Sequence, residues 1–295
     1  MSNISIISTM SNNAKGLMLT SLGIFIMSVE SLMIKYTTIS SFVFSFYLGI
    51  FIFASMLGSL MFKKKNYVKN AFKSSYIFLI ACATMMAVSN IFFITAVKTT
   101  SVANVVIIFS TAALFSSLIA FILYKEKMSK NILYASFFMF IGLFIIFSDE
   151  LSLGSIEGNI YALLCTILFS VSFVLLAKYK KMDRMILTAL SGIALSMIAY
   201  FLSDNLKIDT TNLLIVMSMG LVISSFSRVL IGNGAKYISA SEVSLLMLIE
   251  TIMAPIWVWI FLNEIPSSNT FIGGSIIILT LIINSLYTLK KEEIV

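Results

Sequence analysis

The sequence predicts an all-α integral membrane protein: ten transmembrane helices arranged as two inverted five-helix repeats. Three observations point there. Of 295 residues, 59% are hydrophobic and 11% charged, and the mean hydropathy is +1.04. A soluble domain carries about 25% charged residues, so this chain has too little polar surface to cover a soluble globule. A window of about 19 residues finds ten apolar runs long enough to cross a bilayer. Finally, polar landmarks of the first half recur in the second half at the same element ends.

The elements follow in order. Residues 1–14 are polar and lack both the charged-then-apolar layout and the small-residue cleavage site of a signal peptide. They read as a short cytoplasmic tail, and the first apolar run is expected to be retained. Spans at about 15–35, 41–62, 74–97, 101–124 and 131–148 form a first repeat over 15–148. Spans at about 156–178, 185–202, 211–233, 241–262 and 270–289 form a second over 156–289. Residues 290–295 are a second cytoplasmic tail. The connections are short, so neighbouring helices are expected to be antiparallel hairpins, with no separate soluble domain.

Orientation follows from the basic residues. With the N-terminus inside, sixteen of the 20 Lys and Arg fall on the cytoplasmic side, including Lys15, Lys63, Lys125, Lys178, Arg184 and Lys236. Three, Lys35, Lys98 and Lys207, fall outside, and Arg228 lies within a span. That bias places both termini in the cytoplasm of a multi-pass protein of the cell (inner or plasma) membrane. It also accounts for the net charge of +7 without nucleic acid. The loops "KKKNYVKNAFK" and "KYKKMDR" are topology signals.

The repeats are read by sliding the chain over itself. A shift of 138 brings Lys98 onto Lys236, Ser101 onto Ser239, Val105 onto Val243, Glu126 onto Glu264, Ser129 onto Ser267 and Asn131 onto Asn269. A shift of 142 brings Gly16 onto Gly158, Leu22 onto Leu164, Ser28 onto Ser170 and Val29 onto Val171. Five spans is an odd number, so the second half enters the membrane from the opposite side. Inverted repeats of this kind are typical of secondary transporters.

At these residues the chain resembles a family. "KGLMLTSLGIFIMSVESLMIKY" and "EGNIYALLCTILFSVSFVLLAKYKK" look like the first and sixth helices of the drug/metabolite transporter superfamily, EamA type. "AVKTTSVANVVIIFSTAALFSSLIAFILYKEKMSKNILYASFFMFIGLFIIF" and "GAKYISASEVSLLMLIETIMAPIWVWIFLNEIPSSNTFIGGSIIILTLII" carry that family's pattern. Each has a small-residue turn, an apolar helix ending in Glu, and a further helix. Pro255 precedes Glu264 as in the family, whereas the first copy has Ser117 there, and Tyr47 stands near where the family often has an Arg. The resemblance implies ten helices and a central cavity, lined mainly by helices 1, 3, 4, 6, 8 and 9 and open alternately to either side. It also implies small organic solutes as cargo, with export as the family's habit.

Intramembrane charge marks the candidate site. An arginine at the centre of a lipid-embedded helix costs roughly 2.5–3.5 kcal/mol on insertion scales. Arg228 lies eight residues before Lys236, about 12 Å deep, and Glu250 lies nine past Ser241, about 13.5 Å deep. The two are nearly level on adjacent helices. Three readings stay open for Arg228: snorkelling to the headgroups, a structural clamp with Glu250, or a cavity pair that holds or gates a charged solute. Under the 138 shift Arg228 falls on Asn90, so both repeats carry a polar group at one depth, which favours the cavity. Glu30, in the outer half of the first helix, either pairs with Lys35 or faces the cavity as a proton carrier.

Other residues give weaker signals. Trp257 and Trp259 point to opposite sides of their helix, so at most one faces a cavity; Trp257 joins the substrate-binding or gating candidates. Pro255 is expected to kink helix 9. Glu242 suits a helix N-terminus, and Glu126 and Glu264 read as structural residues at repeat boundaries. Cys82 and Cys165 lie in apolar runs and read as packing residues without a disulfide.

No catalytic, metal-binding or cofactor residues are expected. There is no histidine, hence no zinc motif and no Ser–His pair. No Walker-type loop is present, so ATP-driven transport is not expected. The reading is a secondary transporter for a small metabolite such as an amino acid or amine, probed against one alternative, a non-transporting structural or receptor-like polytopic protein. The partners are the lipid bilayer and a small-molecule substrate. Monomer and homodimer both remain open.

Overall fold

The computed structural model describes residues 11–61, 67–125, 130–153, 156–179, 182–238 and 240–292. Glu126 and the loop lysines Lys63, Lys64, Lys65, Lys127, Lys180 and Lys181 lie outside the described residues. The described chain forms ten helical elements, each lying where an apolar run predicts one. Helix α1 runs Asn12–Met27 and resumes as Glu30–Tyr36; α2 is Ser41–Met61, α3 Tyr67–Thr99. Helix α4 is Val102–Ser110 and Ala112–Tyr124, α5 Lys130–Leu153, α6 Glu157–Lys178 and α7 Arg184–Leu202. Helix α8 is Thr210–Ser218, a π-helical turn Met219–Ile223 and Ser224–Gly234; α9 is Ala240–Leu246 and Leu248–Leu262; α10 is Ser268–Glu292. Among the described residues nine of these are long and apolar enough to cross a membrane, and Leu248–Leu262 is the shorter main segment of the tenth.

Side-chain caps set several of the ends. Ser101 Oγ accepts from Asn104 N at 3.2 Å to open α4, and Asp183 Oδ1 accepts from Met185 N and Ile186 N, both at 3.0 Å, to open α7. Each bond satisfies amides that the helix start leaves without partners. Among the described residues, Lys125 and Asn263 are the two non-glycine residues with positive φ, 52° and 56°. They close α4 and α9 with bonds to the carbonyls of Phe121 at 2.9 Å and Trp259 at 3.0 Å. Both are left-handed C-caps, and both the caps and their carbonyl partners are 138 residues apart. The backbone therefore carries the same repeat as the side chains.

Helix packing obeys a pseudo-two-fold. Mates pack on mates in α2 with α7, α4 with α9 and α5 with α10. The pairs α1 with α8 and α6 with α3 are images of each other. Gly158 at the start of α6 lies against Thr100, and Gly16 at the start of α1 against Ile238 and Tyr237. Gly16 and Gly158 match under the 142 shift, and Thr100 and Ile238 under the 138 shift, so one contact joins both registers. On the axis, a Cβ on Gly49 would come within 2.5 Å of the Gly192 carbonyl, and one on Gly192 within 2.8 Å of the Gly49 carbonyl. Close backbone approach of this kind replaces hydrophobic driving force in lipid.

The main core joins both repeats, with Phe44, Leu48 and Ile52 of α2, Val105 and Ile108 of α4, Val216 and Met219 of α8 and Val258 of α9 all buried. Cys82 and Cys165 are buried free thiols, as expected. Two interruptions were not predicted. The interruption in α9 is at Met247, and the helix runs on through Pro255. The first span is also interrupted, at Ser28–Val29, where no glycine or proline marks it.

Candidate functional site

Three interrupted helices meet between the repeats. The short segment Glu30–Tyr36 of α1 packs on the π-helical turn of α8 and on Leu248–Leu262 of α9. At each interruption, backbone groups lose their helical partners and must be satisfied otherwise inside a membrane. In α1, Ser28 Oγ donates to the Phe25 carbonyl at 2.7 Å and accepts the Trp257 indole N–H at 2.9 Å. In α8, Ser225 Oγ donates to the Gly220 carbonyl at 2.8 Å. In α9, the Glu250 amide donates to the Met247 carbonyl at 3.1 Å.

The charges sit at these same places. Glu30 begins the second segment of α1, Glu250 lies in the first turn of the second segment of α9, and Arg228 lies on α8 just past the π-helical turn. Glu250 is 8% exposed. The charged neighbours of the Glu250 carboxyl are Glu30 and Arg228, and Arg228 is also the charged neighbour of Glu30. Ser224 stands one turn before Arg228 on the same helix face, with its hydroxyl beside the Glu30 carboxyl. Glu30 Oε1 and Ser224 Oγ are both sealed from solvent, and each falls short of normal hydrogen-bond geometry among the described residues, with the other as its near neighbour.

The structure therefore brings Arg228, Glu250 and Glu30 together, with a separation that the sequence did not predict. Among the described residues the one ion pair within 4 Å is Lys35–Glu264, at 3.2 Å. Arg228 is within Coulombic reach of two carboxyls and in contact with neither. The expected alternative of a Glu30–Lys35 pair does not form. Five residues turn an α-helix by about 140° net, so the two side chains leave on different faces. Lys35 instead reaches Glu264 and the Thr100 carbonyl, the latter at 2.6 Å. Glu264 Oε1 accepts from Val102 N at 2.7 Å, capping α4, and Lys98 Nζ donates to the Thr37 carbonyl at 2.8 Å. This network ties α1, α3, α4 and α9 at one membrane face, and Glu264 is structural as read.

Asn90 and Trp257 are placed differently from the charges. The Asn90 amide donates to the Met86 carbonyl of its own helix at 2.9 Å, and among the described residues no hydrogen bond joins it to the charged cluster. Trp257 is half-buried, its indole fixed to Ser28 and its ring edge-on to Phe25 at 5.7 Å, while Trp259 is 55% exposed. Ser28 and Ser224 were not predicted. Ser224 had a legible signal, since it precedes Arg228 by four residues and shares its face.

The matching place in the first repeat is neutral. Glu250 falls on Ala112 under the 138 shift, and the Ala112 carbonyl accepts from Ser170 Oγ at 3.1 Å. The Thr111 hydroxyl donates to the Ile108 carbonyl at 2.5 Å. Hydroxyls close that interruption, whereas charge occupies the other.

Ten helical elements in two five-helix repeats, nine of them long and apolar enough to cross a membrane among the described residues, with charge at interrupted helices, define a polytopic membrane protein of the two-repeat transporter class. The sequence pattern of the EamA-like transporter family matches residues 14–148 and again 156–286, and the chain belongs to that family. A search of curated protein sequences finds no match. A solved crystal structure of a protein superposes with a TM-score of 0.65 at 14% identity, covering 93% of this chain and 98% of that one. At that identity the likeness shows the fold alone.

Proposed function

We propose that this chain is a secondary transporter that exports a small organic metabolite such as an amino acid or amine by alternating access, without ATP and without catalysing a reaction. The observation that carries this reading is the set of three charges, held apart at the interruptions of α1, α8 and α9. A purely structural role favours contact pairing, because an unpaired buried charge is strongly destabilising. Charges kept apart in a membrane interior are a ligand site by default. The two repeats rock about the pseudo-two-fold, and the site between them faces each side in turn. The protein sits in the cell membrane with both termini in the cytoplasm, as the lysine distribution supports.

Glu30 is the proton carrier in this reading, since it is the carboxyl of the first helix and its Oε1 is sealed from solvent where the repeats meet. The test is solute flux in vesicles reconstituted with purified protein, using metabolites that raise its Tm. Protein-dependent flux supports transport. Its absence for every stabilising solute leaves the structural or receptor-like alternative. Glu30→Gln is expected to abolish accumulation driven by a pH gradient, and accumulation that persists with unchanged pH dependence removes Glu30 from coupling.

A further inference from the structure

Three basic residues lie on the Lys35 side, and two of them, Lys35 and Lys98, join helices there. Lys35 at the end of α1 holds Glu264 after α9 at 3.2 Å and donates to the Thr100 carbonyl at the α3–α4 turn. Lys98 at the end of α3 donates to the Thr37 carbonyl at 2.8 Å and to its hydroxyl at 3.0 Å, just past α1. Glu264 also caps α4 through Val102 N, and Asn212 at the start of α8 donates to the Thr38 hydroxyl at 3.1 Å. The ends of α3 and α4 are thereby joined to those of α1 and α9 on this side, with α8 tied to the same turn. On the opposite side the contacts fall into two sets. Lys178 of α6 lies over the Tyr124 ring of α4, 4.6 Å from its centre, and Phe78 of α3 stacks on Tyr179 after α6. Asn13 of α1 donates to Glu242 of α9, and Lys15 of α1 lies over the Tyr237 ring beyond α8. None of these joins α3, α4 and α6 to α1, α8 and α9.

The helices follow the same division. The first segment of α4, Val102–Ser110, packs on the second segment of α9, Leu248–Leu262, in the half of the fold on the Lys35 side. The image packing is the first segment of α9, Ala240–Leu246, on the second segment of α4, Ala112–Tyr124, in the other half. Among the described residues that packing is at most marginal. Burial agrees. Residues Val102 to Ile108 are all buried, whereas their mates Glu242, Val243, Leu245 and Leu246 are half-buried. Under the repeat shifts Lys98 falls on Lys236 and Thr37 on Tyr179. The bond from Lys98 across to Thr37 has no image among the described residues, because Lys236 is exposed and donates to Asn233, three residues back, at 2.8 Å. Inverted repeats that rock exchange the conformations of their halves, so a contact closed at one mouth foretells its image at the other. Building on the transporter reading, we infer that Lys35, Lys98, Thr37 and Glu264 form the outer gate, shut in this structure, and that the opposite form shuts the inner mouth by moving Lys236 onto the Tyr179 carbonyl. The ion pair suits a gate. Lys35 and Glu264 are 23% and 22% exposed, so water meets the charges as they part, and opening strands no buried charge.

The experiment reads water access at a pair of repeat mates in the full-length protein. Val105→Cys reports the outer half and Val243→Cys the inner half, each against the same protein without the added cysteine. A membrane-impermeant methanethiosulfonate is applied to right-side-out and to inside-out membrane vesicles. With the gate intact, Val243→Cys is expected to react from the cytoplasmic side and Val105→Cys to be protected. Lys35→Met with Lys98→Met opens the gate and is expected to raise the outside labelling rate of Val105→Cys about fivefold, and to lower that of Val243→Cys. The exchange of Lys35→Glu with Glu264→Lys is expected to return the native pattern, which a loss of stability alone would not do. A network that is purely structural moves Tm and leaves the labelling ratio unchanged, and that result overturns the gate. Should the gate variants not fold, a cross-link decides. Lys35→Cys with Glu264→Cys, joined by a short bifunctional methanethiosulfonate, is expected to stop flux, and reductant to restore it. Full flux through the cross-linked protein overturns the gate and leaves the transporter standing. Labelling that responds to the gate variants in a protein that moves no solute keeps the gate and overturns the transporter reading.

Discussion

Arg228 is a costly residue in an apolar helix, and its surroundings explain its retention. It lies within electrostatic reach of the Glu30 and Glu250 carboxyls but touches neither within 4 Å. That spacing has a measurable consequence. Breaking a buried contact pair costs about 3–5 kcal/mol, because a stranded charge remains. Charges at about twice the contact distance interact by about 2 kcal/mol at an effective dielectric near 20, and by less where water enters. A double-mutant cycle with Arg228→Met and Glu250→Gln, read by equilibrium unfolding in detergent, is expected to give a coupling of about 2 kcal/mol. A coupling near 5 would mean a closed contact pair, and zero would mean no interaction. Arg228 and Glu250 were legible in the sequence because a charge in an apolar run cannot be accidental packing. Glu30 was legible as a charge but not in its partner, since sequence distance to Lys35 hides the turn between them. Asn90 was placed at the right depth by the repeat, but depth along a helix does not fix where an amide donates.

At the level of elements, all ten spans were readable from hydropathy, while the interruptions were not. Ser28–Val29, Thr111 and Met247 carry no breaker residue, and Pro255 sits inside an unbroken helix. In membranes a freed carbonyl can be re-satisfied by neighbours, so proline does not dictate the break. Here packing across the pseudo-two-fold sets it, with Ser and Thr hydroxyls taking released carbonyls. The packing itself can be tested on α2. Gly49→Ala drives a Cβ into the Gly192 backbone and is expected to destabilise by about 1–3 kcal/mol. Gly58, with nothing within 4 Å of its Cβ position, is the control; Gly58→Ala is expected to be neutral or to stabilise by up to about 1 kcal/mol through helix propensity. Equal Tm losses in both variants would contradict the close α2–α7 approach. A second contact joins the start of α3 to the start of α7, where the Tyr67 hydroxyl donates to the Asp183 carboxylate. That bond pushes the Tyr67 pKa up to about 12. The folded value is raised, so the stabilisation is full below the ordinary tyrosine pKa of about 10 and is lost as pH rises towards about 12. Tyr67→Phe should lower Tm at pH 9, and the difference from the native protein should shrink as pH climbs. A constant difference across that range would assign the effect to packing instead.

The whole molecule is a near-symmetric frame carrying an asymmetric site. The frame was legible because its landmarks are polar residues at element ends, which lipid-facing drift does not blur: Gly16 and Gly158, Lys98 and Lys236, Glu126 and Glu264. The left-handed caps at Lys125 and Asn263 repeat at the same spacing in the backbone. The asymmetry lies in what fills the interruptions, the hydroxyls of Thr111 and, reaching across from α6, Ser170 at the α4 interruption, and Glu250 with Arg228 at those of α9 and α8. Such a frame has two mirror placements in a bilayer, and only the distribution of basic residues chooses between them. Sixteen basic residues lie on the Lys15 side and three on the Lys35 side, so the Lys35 side is expected to be extracellular. Both native thiols are buried, Cys82 at 0% and Cys165 at 2% exposure, which gives a silent background for labelling. Asn205→Cys lies beside the cleft of Ile39, Ser40, Val43, Asp204 and Lys207 on the Lys35 side, and Lys236→Cys lies in the turn after α8 on the other. In intact cells an impermeant maleimide should label the first and spare the second until the membrane is permeabilised. Reversed labelling would invert the placement of the whole frame. It would exchange the sides that the site faces and put the Lys35–Glu264 network at the cytoplasmic mouth.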